Sequence, residues 1–265
     1  MCGSMYGGPI MNIIVKIIKT ILYKCEFLRI MADDYLNWIY RNRFKEEQLK
    51  IKDLHNTHRG QRCFIVATGP SIKDVNLNIL KNETTIGVNS LYREFKGCTY
   101  YAISDGHRWS SEGVKMLSSV KTLFLFYIAA RYYLKSNKKG NKIPNIIKGK
   151  KSILKEGAFP KDISKGVYVG GASIVILCLQ LAYYMGFKEV YLMGCDCNYK
   201  KGHFDGKKDS STKWNDESEK KHWDTVFKAF SICKKEYARN NMKIYNINDN
   251  DRLKMFEKRK LEEVL

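Results

Sequence analysis

Apolar positions along the chain fall in short runs separated by longer mixed stretches, and this alternation predicts an α/β domain. The first clear run, RCFIVATGPS, is β-prone and ends in a turn, so it reads as the first core strand of a domain starting near Arg59. TTIGV, TYYAIS and KTLFLFY follow as short β-branched or aromatic runs between polar segments, as in strands buried on both faces of a parallel sheet. Further on, GVYVGGASIVILCLQLAYYMGFKEVYLMGCD carries a glycine turn, an apolar helix over about 172–185, Gly186 at its C-cap and a strand ending near Gly194. A polar loop over 196–215, a helix over about 216–240 and a strand in KIYNI complete the pattern. The fold class expected is therefore a Rossmann-like, doubly wound, mostly parallel sheet with ligands at the C-terminal ends of its strands.

Two stretches stand outside this alternation. IMNIIVKIIKTIL, over 10–22, is too short to span a bilayer and is interrupted by Lys16 and Lys19. Its Ile14, Ile17, Ile18 and Ile21 share one helical face, which either lies in the plane of an anionic membrane or packs on the domain or a second subunit. The other stretch, 131–165, has little periodicity and holds eleven lysines or arginines against Glu156 and Asp162, so it reads as a basic, lid-like excursion or a solvated loop. The division expected is an N-terminal helical extension over 1–58 and a donor-binding catalytic domain over 59–265.

Composition narrows the classes. A chain of 265 residues with 44% hydrophobic residues buries a substantial core, which excludes wholesale disorder. The formal net charge of +20 implies an anionic partner: nucleic acid, a membrane face or a phosphorylated small molecule. Clustered lysines without interleaved aromatics make a poor base-reading surface, so nucleic acid is the least favoured of the three. Eight cysteines include Cys63 and Cys178 in apolar runs, which read as reduced core thiols. The Cys195/Cys197 pair lacks a second half with zinc-site spacing, and no metal is expected. The start of the chain lacks the pattern of a cleavable signal peptide, so a cytoplasmic protein is expected, peripheral on the inner membrane face if the first helix meets lipid.

Candidate chemistry lies at the strand ends. Thr68, Gly69, Pro70 and Ser71 follow the first strand directly, where a close-approach glycine and backbone amides suit a phosphate or nucleoside. Asn89 follows TTIGV, and Ser104 and Asp105 follow TYYAI; each is equally at home as a helix cap or turn residue. Asp196 follows the strand in YLMGCD. His203, in the polar loop beyond it, suits a general base because its intrinsic pKa lies near cellular pH.

Together, CFIVATGPSIKDVNLNILKNETTIGVNSLY and LQLAYYMGFKEVYLMGCDCNY followed by GHF resemble a family related to family 42 sialyltransferases and to the 6-hydroxymethylpterin diphosphokinase-like proteins, over roughly residues 59–250. The resemblance implies that Gly69, Pro70 and Ser71 contact the CMP moiety of a donor, with Thr68 standing where the sialyltransferases have an asparagine. It implies further donor contacts at Asn89, at Ser104 or Asp105, and at the glycine turn Gly170, Gly171 and Ala172, and it makes His203 the catalytic base. Tyr132, Tyr133 or lysines of the excursion are then candidates to meet the leaving phosphate. The activity implied is metal-independent, inverting transfer of a nonulosonic or Kdo-type sugar from a CMP donor to a glycan or lipid-linked glycan acceptor, with no cofactor. The alternative is a Mg2+-dependent pterin diphosphokinase in which the same loop holds ATP and Asp105 or Asp196 meets the metal.

Overall fold

The structure is a computed structural model that describes residues 50–126, 129–130, 132–133, 144–147, 149–150, 154–157, 159–168, 173–206, 215–247 and 251–265. The expected helix over 10–22 and the turn Gly170, Gly171 and Ala172 lie outside the described residues. The chain divides into compact units 1–46 and 47–265, and every described residue belongs to the second.

Among the described residues ten strands run in the order β1 (Arg62–Val66), β2 (Thr85–Val88), β3 (Tyr100–Ile103), β4 (Leu123–Phe126), β5 (Asn145–Ile147), β6 (Gly149–Lys150), β7 (Val167–Tyr168), β8 (Glu189–Met193), β9 (Lys243–Asn246) and β10 (Glu257–Lys258). Eight of them form one open, all-parallel sheet in the order β10-β9-β8-β1-β2-β3-β4-β5, so the α/β Rossmann-like fold expected from the sequence is the fold observed. The chain steps outward from β1 to β5, returns to lay β8 on the other flank of β1, and steps outward again to β10. The direction of winding therefore reverses between β1 and β8. Open α/β sheets bind ligands beside such a reversal, and here the loops leaving the C-terminal ends of the two strands meet there.

The helices that frame the sheet among the described residues include α1 (Gly106–Ser119), α2 (Ile174–Tyr184), α3 (Asp216–Arg239) and the short α4 (Leu261–Val264). Ten of the eleven residues of α2 are buried, which marks it as a central helix; it packs across β1, β2 and β3 and against α3. Gly186, in the left-handed region at φ +83°, ends it, and the amides of Gly186 and Phe187 donate to Tyr183 and Ala182. Gln180 is fully buried in this apolar helix because its amide copies a strand edge: it accepts from the Tyr168 amide at 2.7 Å and donates to the Tyr168 carbonyl at 3.0 Å.

The basic stretch 131–165 differs from the sequence expectation in one respect. It supplies β5 at the edge of the main sheet and β6 of a two-stranded accessory sheet, β6–β7. Ile147, Leu154, Phe159 and Ile163 join the core, so these parts are anchored beneath their lysines. Strands this short leave too little apolar periodicity to be read from sequence.

Candidate functional site

The sheet register sets up the site. Val66 of β1 pairs with Met193 of β8, so Ala67 and Gly194 leave the sheet side by side at the reversal of winding. Two amides stitch the departing loops together: Ala67 donates to Met193 at 2.8 Å and Gly69 to Gly194 at 2.8 Å. Gly194 turns the chain at φ +65°. A Cβ at Gly69 would stand 2.5 Å from the Gly194 carbonyl and 2.6 Å from the Asp196 carboxyl carbon, so only glycine admits this approach.

Asp196 latches the same turn. Its carboxylate accepts the Ser71 amide at 2.8 Å and, through its other oxygen, the Ser71 hydroxyl, while the residue is only 8% exposed. Charge-assisted bonds of this kind are strong and satisfy a carboxylate that is almost out of water. A second stitch lies one step further along. The Phe204 amide donates to the Thr68 carbonyl at 3.0 Å, and the Thr68 hydroxyl meets His203 Nδ1 at 3.1 Å. The loop after β1 is thus held by two residues of the loop after β8, and the half-buried His203 is brought against it. Because the amides of Ala67, Gly69 and Ser71 are spent inside this structure, a ligand here meets the shape of the turn and its side chains more than an open amide cradle.

The structure also shows where the other sequence-derived candidates lie. Asn89, at the C-terminal end of β2, is held at φ +51°, and its side-chain oxygen is buried without a hydrogen-bond partner. Strain and an unsatisfied acceptor in one residue are a combination more common at functional positions than in frameworks. Asp105 is exposed and caps α1, accepting from the amides of His107 at 2.8 Å and Arg108 at 3.4 Å. Ser104 accepts the Ala129 amide through its carbonyl. Tyr132 lies exposed beside Gly106 in the first turn of α1, whereas Tyr133 is buried edge-on against Trp109.

One network was not foreseen from the sequence. Arg93, in the helical turn after β2, is ion-paired both to Glu112 of α1 and to Asp205, two residues beyond His203. Tyr92 donates to the same Glu112 at 2.6 Å, and Arg108 stands 3.9 Å from it. Burial pushes the Glu112 carboxyl up, but the Tyr92 hydroxyl and Arg93 outweigh it and hold the group below the ordinary glutamate range. The histidine loop is therefore clamped from one side by Thr68 and from the other by Arg93. Near the turn, burial raises the Cys197 thiol to about 12, which leaves it protonated and a poor metal ligand or nucleophile.

The sequence model of one protein family, described as 6-hydroxymethylpterin diphosphokinase MptE-like, matches residues 39–202. The chain belongs to this MptE-like family. The match spans β1 to β8 and the turn at Asp196, which makes the chain a transferase-like α/β protein. No curated protein and no solved structure matches. The sialyltransferase side of the resemblance therefore rests on the quoted motifs alone.

The diphosphokinase relationship raises the question of a divalent cation. Both oxygens of Asp196 accept from Ser71, and an oxygen of Asp105 accepts from helix amides. Among the described residues no three His, Cys, Asp or Glu side chains gather. Both carboxylates are thus engaged within the fold, and a Mg2+ here would be held by one or two carboxylates together with substrate phosphates. Nor is any helix of the described residues long and apolar enough to cross a membrane.

Proposed function

We propose that this member of the MptE-like family is a transferase that holds a nucleotide-activated donor where the loops after β1 and β8 meet, with His203 as the general base. The observation that carries the reading is the contact between Thr68 and His203 above a turn closed by Gly69 and latched by Asp196. It sets a titratable side chain at the rim of the crevice, on a rigid support, where an acceptor hydroxyl can approach a donor lying on the turn.

The donor favoured by the motif resemblance is a CMP-sugar. His203 takes the proton of an acceptor hydroxyl as the oxygen's electron pair forms a bond to the anomeric carbon. The bond from that carbon to the phosphate oxygen breaks on the opposite face, and its electrons leave with CMP. Tyr132, exposed beside the first turn of α1, is the side chain we assign to the departing phosphate. Replacing His203 with alanine is expected to lower turnover by about 10²–10⁴-fold, the usual contribution of a positioned base, while leaving CMP affinity unchanged. Unchanged turnover removes His203 from this role.

A second reading is favoured by the family match itself: ATP on the same turn, and attack of a pterin hydroxymethyl oxygen on the β-phosphorus with AMP leaving. His203 would act on the acceptor hydroxyl in the same way. In this reading a divalent cation arrives with the triphosphate and is shared with Asp196 or Asp105.

A further inference from the structure

A cleft of about 400 Å³ opens beside the histidine loop. One wall is the chain immediately after the GPS turn, with Ile72, Val75 and Leu77; the other includes Phe95 and Phe204. Lys73, Asn78 and Glu94 line its exposed rim. Asp205 also lines it, but its carboxylate is occupied by Arg93. The volume falls within the roughly 300–1,000 Å³ of small-molecule sites, and an apolar floor with a few polar groups at the mouth is the usual composition of such sites.

The cleft is mechanically part of the site already described. Phe204 follows His203, and its amide is bonded to Thr68, so the wall of the cleft and the proposed base move as one piece. A molecule seated in the cleft is held in register with His203. Two aromatic rings give apolar area for the C–H face of a saturated ring. A carboxylate, an ammonium and an amide at the mouth accept from and donate to several hydroxyls at once. Among the described residues that line the cleft, Lys73 is the one cation, and Glu94 and Asp205 are acidic.

We propose that this cleft is the acceptor subsite and that it takes a neutral sugar ring, the unit that bears the reacting hydroxyl or adjoins it. The assignment rests on the transferase reading above, in which the donor lies on the adjoining Gly69–Ser71 turn.

The test uses the full chain, methyl-labelled at isoleucine, leucine and valine, titrated with methyl galactoside and methyl N-acetylglucosaminide and, separately, with 6-hydroxymethylpterin. The methyl resonances of Ile72, Val75 and Leu77 should shift together with either glycoside. Glu94→Gln, an exposed change that leaves the fold intact, should raise the half-saturation concentration about tenfold, as expected for loss of one charge-assisted hydrogen bond. Lys81→Ala, outside the cleft, should not. Absence of shifts at these three residues with both glycosides overturns the proposal, as does a response to the pterin alone. Calorimetry with CMP on the same sample separates the two claims. CMP binding without glycoside shifts removes the subsite and leaves the CMP-sugar transferase; glycoside shifts without CMP binding keep a sugar site and remove the CMP-sugar transferase.

Discussion

At the scale of single residues, Gly69 and Asp196 are the positions on which the crevice depends. Alanine at Gly69 would drive its methyl group into the Gly194 carbonyl, a backbone atom that cannot rotate away, so the loops must part. We expect Gly69→Ala to cost about 1–3 kcal/mol, the range of overpacking in a tight site, read as a lower midpoint of urea unfolding together with loss of nucleotide binding. Asp196→Asn keeps the shape but removes the charge that two Ser71 donors share, and the amide then offers only one accepting oxygen. A loss of about 1–3 kcal/mol is expected for a nearly buried carboxylate so bonded; an unchanged midpoint would show that the latch contributes little. Gly69 and Asp196 could be singled out in the sequence because each closely follows an apolar run that reads as a strand, whereas His203, in a polar loop, was singled out as the base by the family resemblance. Their partners were not legible. Ser71 and Asp196 are 125 positions apart, and Thr68 and His203 are 135 apart, distances that no local pattern encodes.

At the scale of elements, the histidine loop is set by a clamp spread over three of them: the turn after β2, α1 and the loop itself. Arg93 sits 19 positions from Glu112 and 112 from Asp205, so neither pairing carries a helical or strand spacing that sequence reading can detect. Arg93→Gln should leave the two carboxylates without their shared cation and loosen the loop. The prediction is a fall in turnover larger than any change in donor affinity, together with faster amide exchange at Phe204. The pH dependence follows from Glu112. Its pKa is depressed in the folded state, so its contribution to stability is complete above the ordinary glutamate range and is lost as pH falls through the lowered value. The stability gap between the wild type and Glu112→Gln should therefore be constant from pH 7 down to about 5 and shrink below that. A gap that widens on acidification would contradict the network. Elsewhere, long apolar elements such as α2 and β8 could be read closely. The two- and three-residue strands β5, β6, β7 and β10 could not, because pairing with longer neighbours creates them rather than their own pattern.

At the scale of the whole molecule, the order of strands does most to locate function. One reversal of winding, between β1 and β8, selects a single crevice from the eight strand ends of the main sheet. The sequence reading reached the same edge by its polar residues but had no means of ordering the strands, since parallel pairing is a long-range property. It also had no access to the cleft beside the crevice, whose lining comes from three separated segments. The two readings proposed above both put a nucleotide on this turn and differ on which one. Isothermal titration calorimetry of the purified chain with CMP and with ATP, each with and without Mg2+, is the most direct test. The account predicts CMP binding that is indifferent to Mg2+ and is abolished by Gly69→Ala; binding of ATP alone, and only with Mg2+, would contradict the CMP-sugar transferase and leave the diphosphokinase.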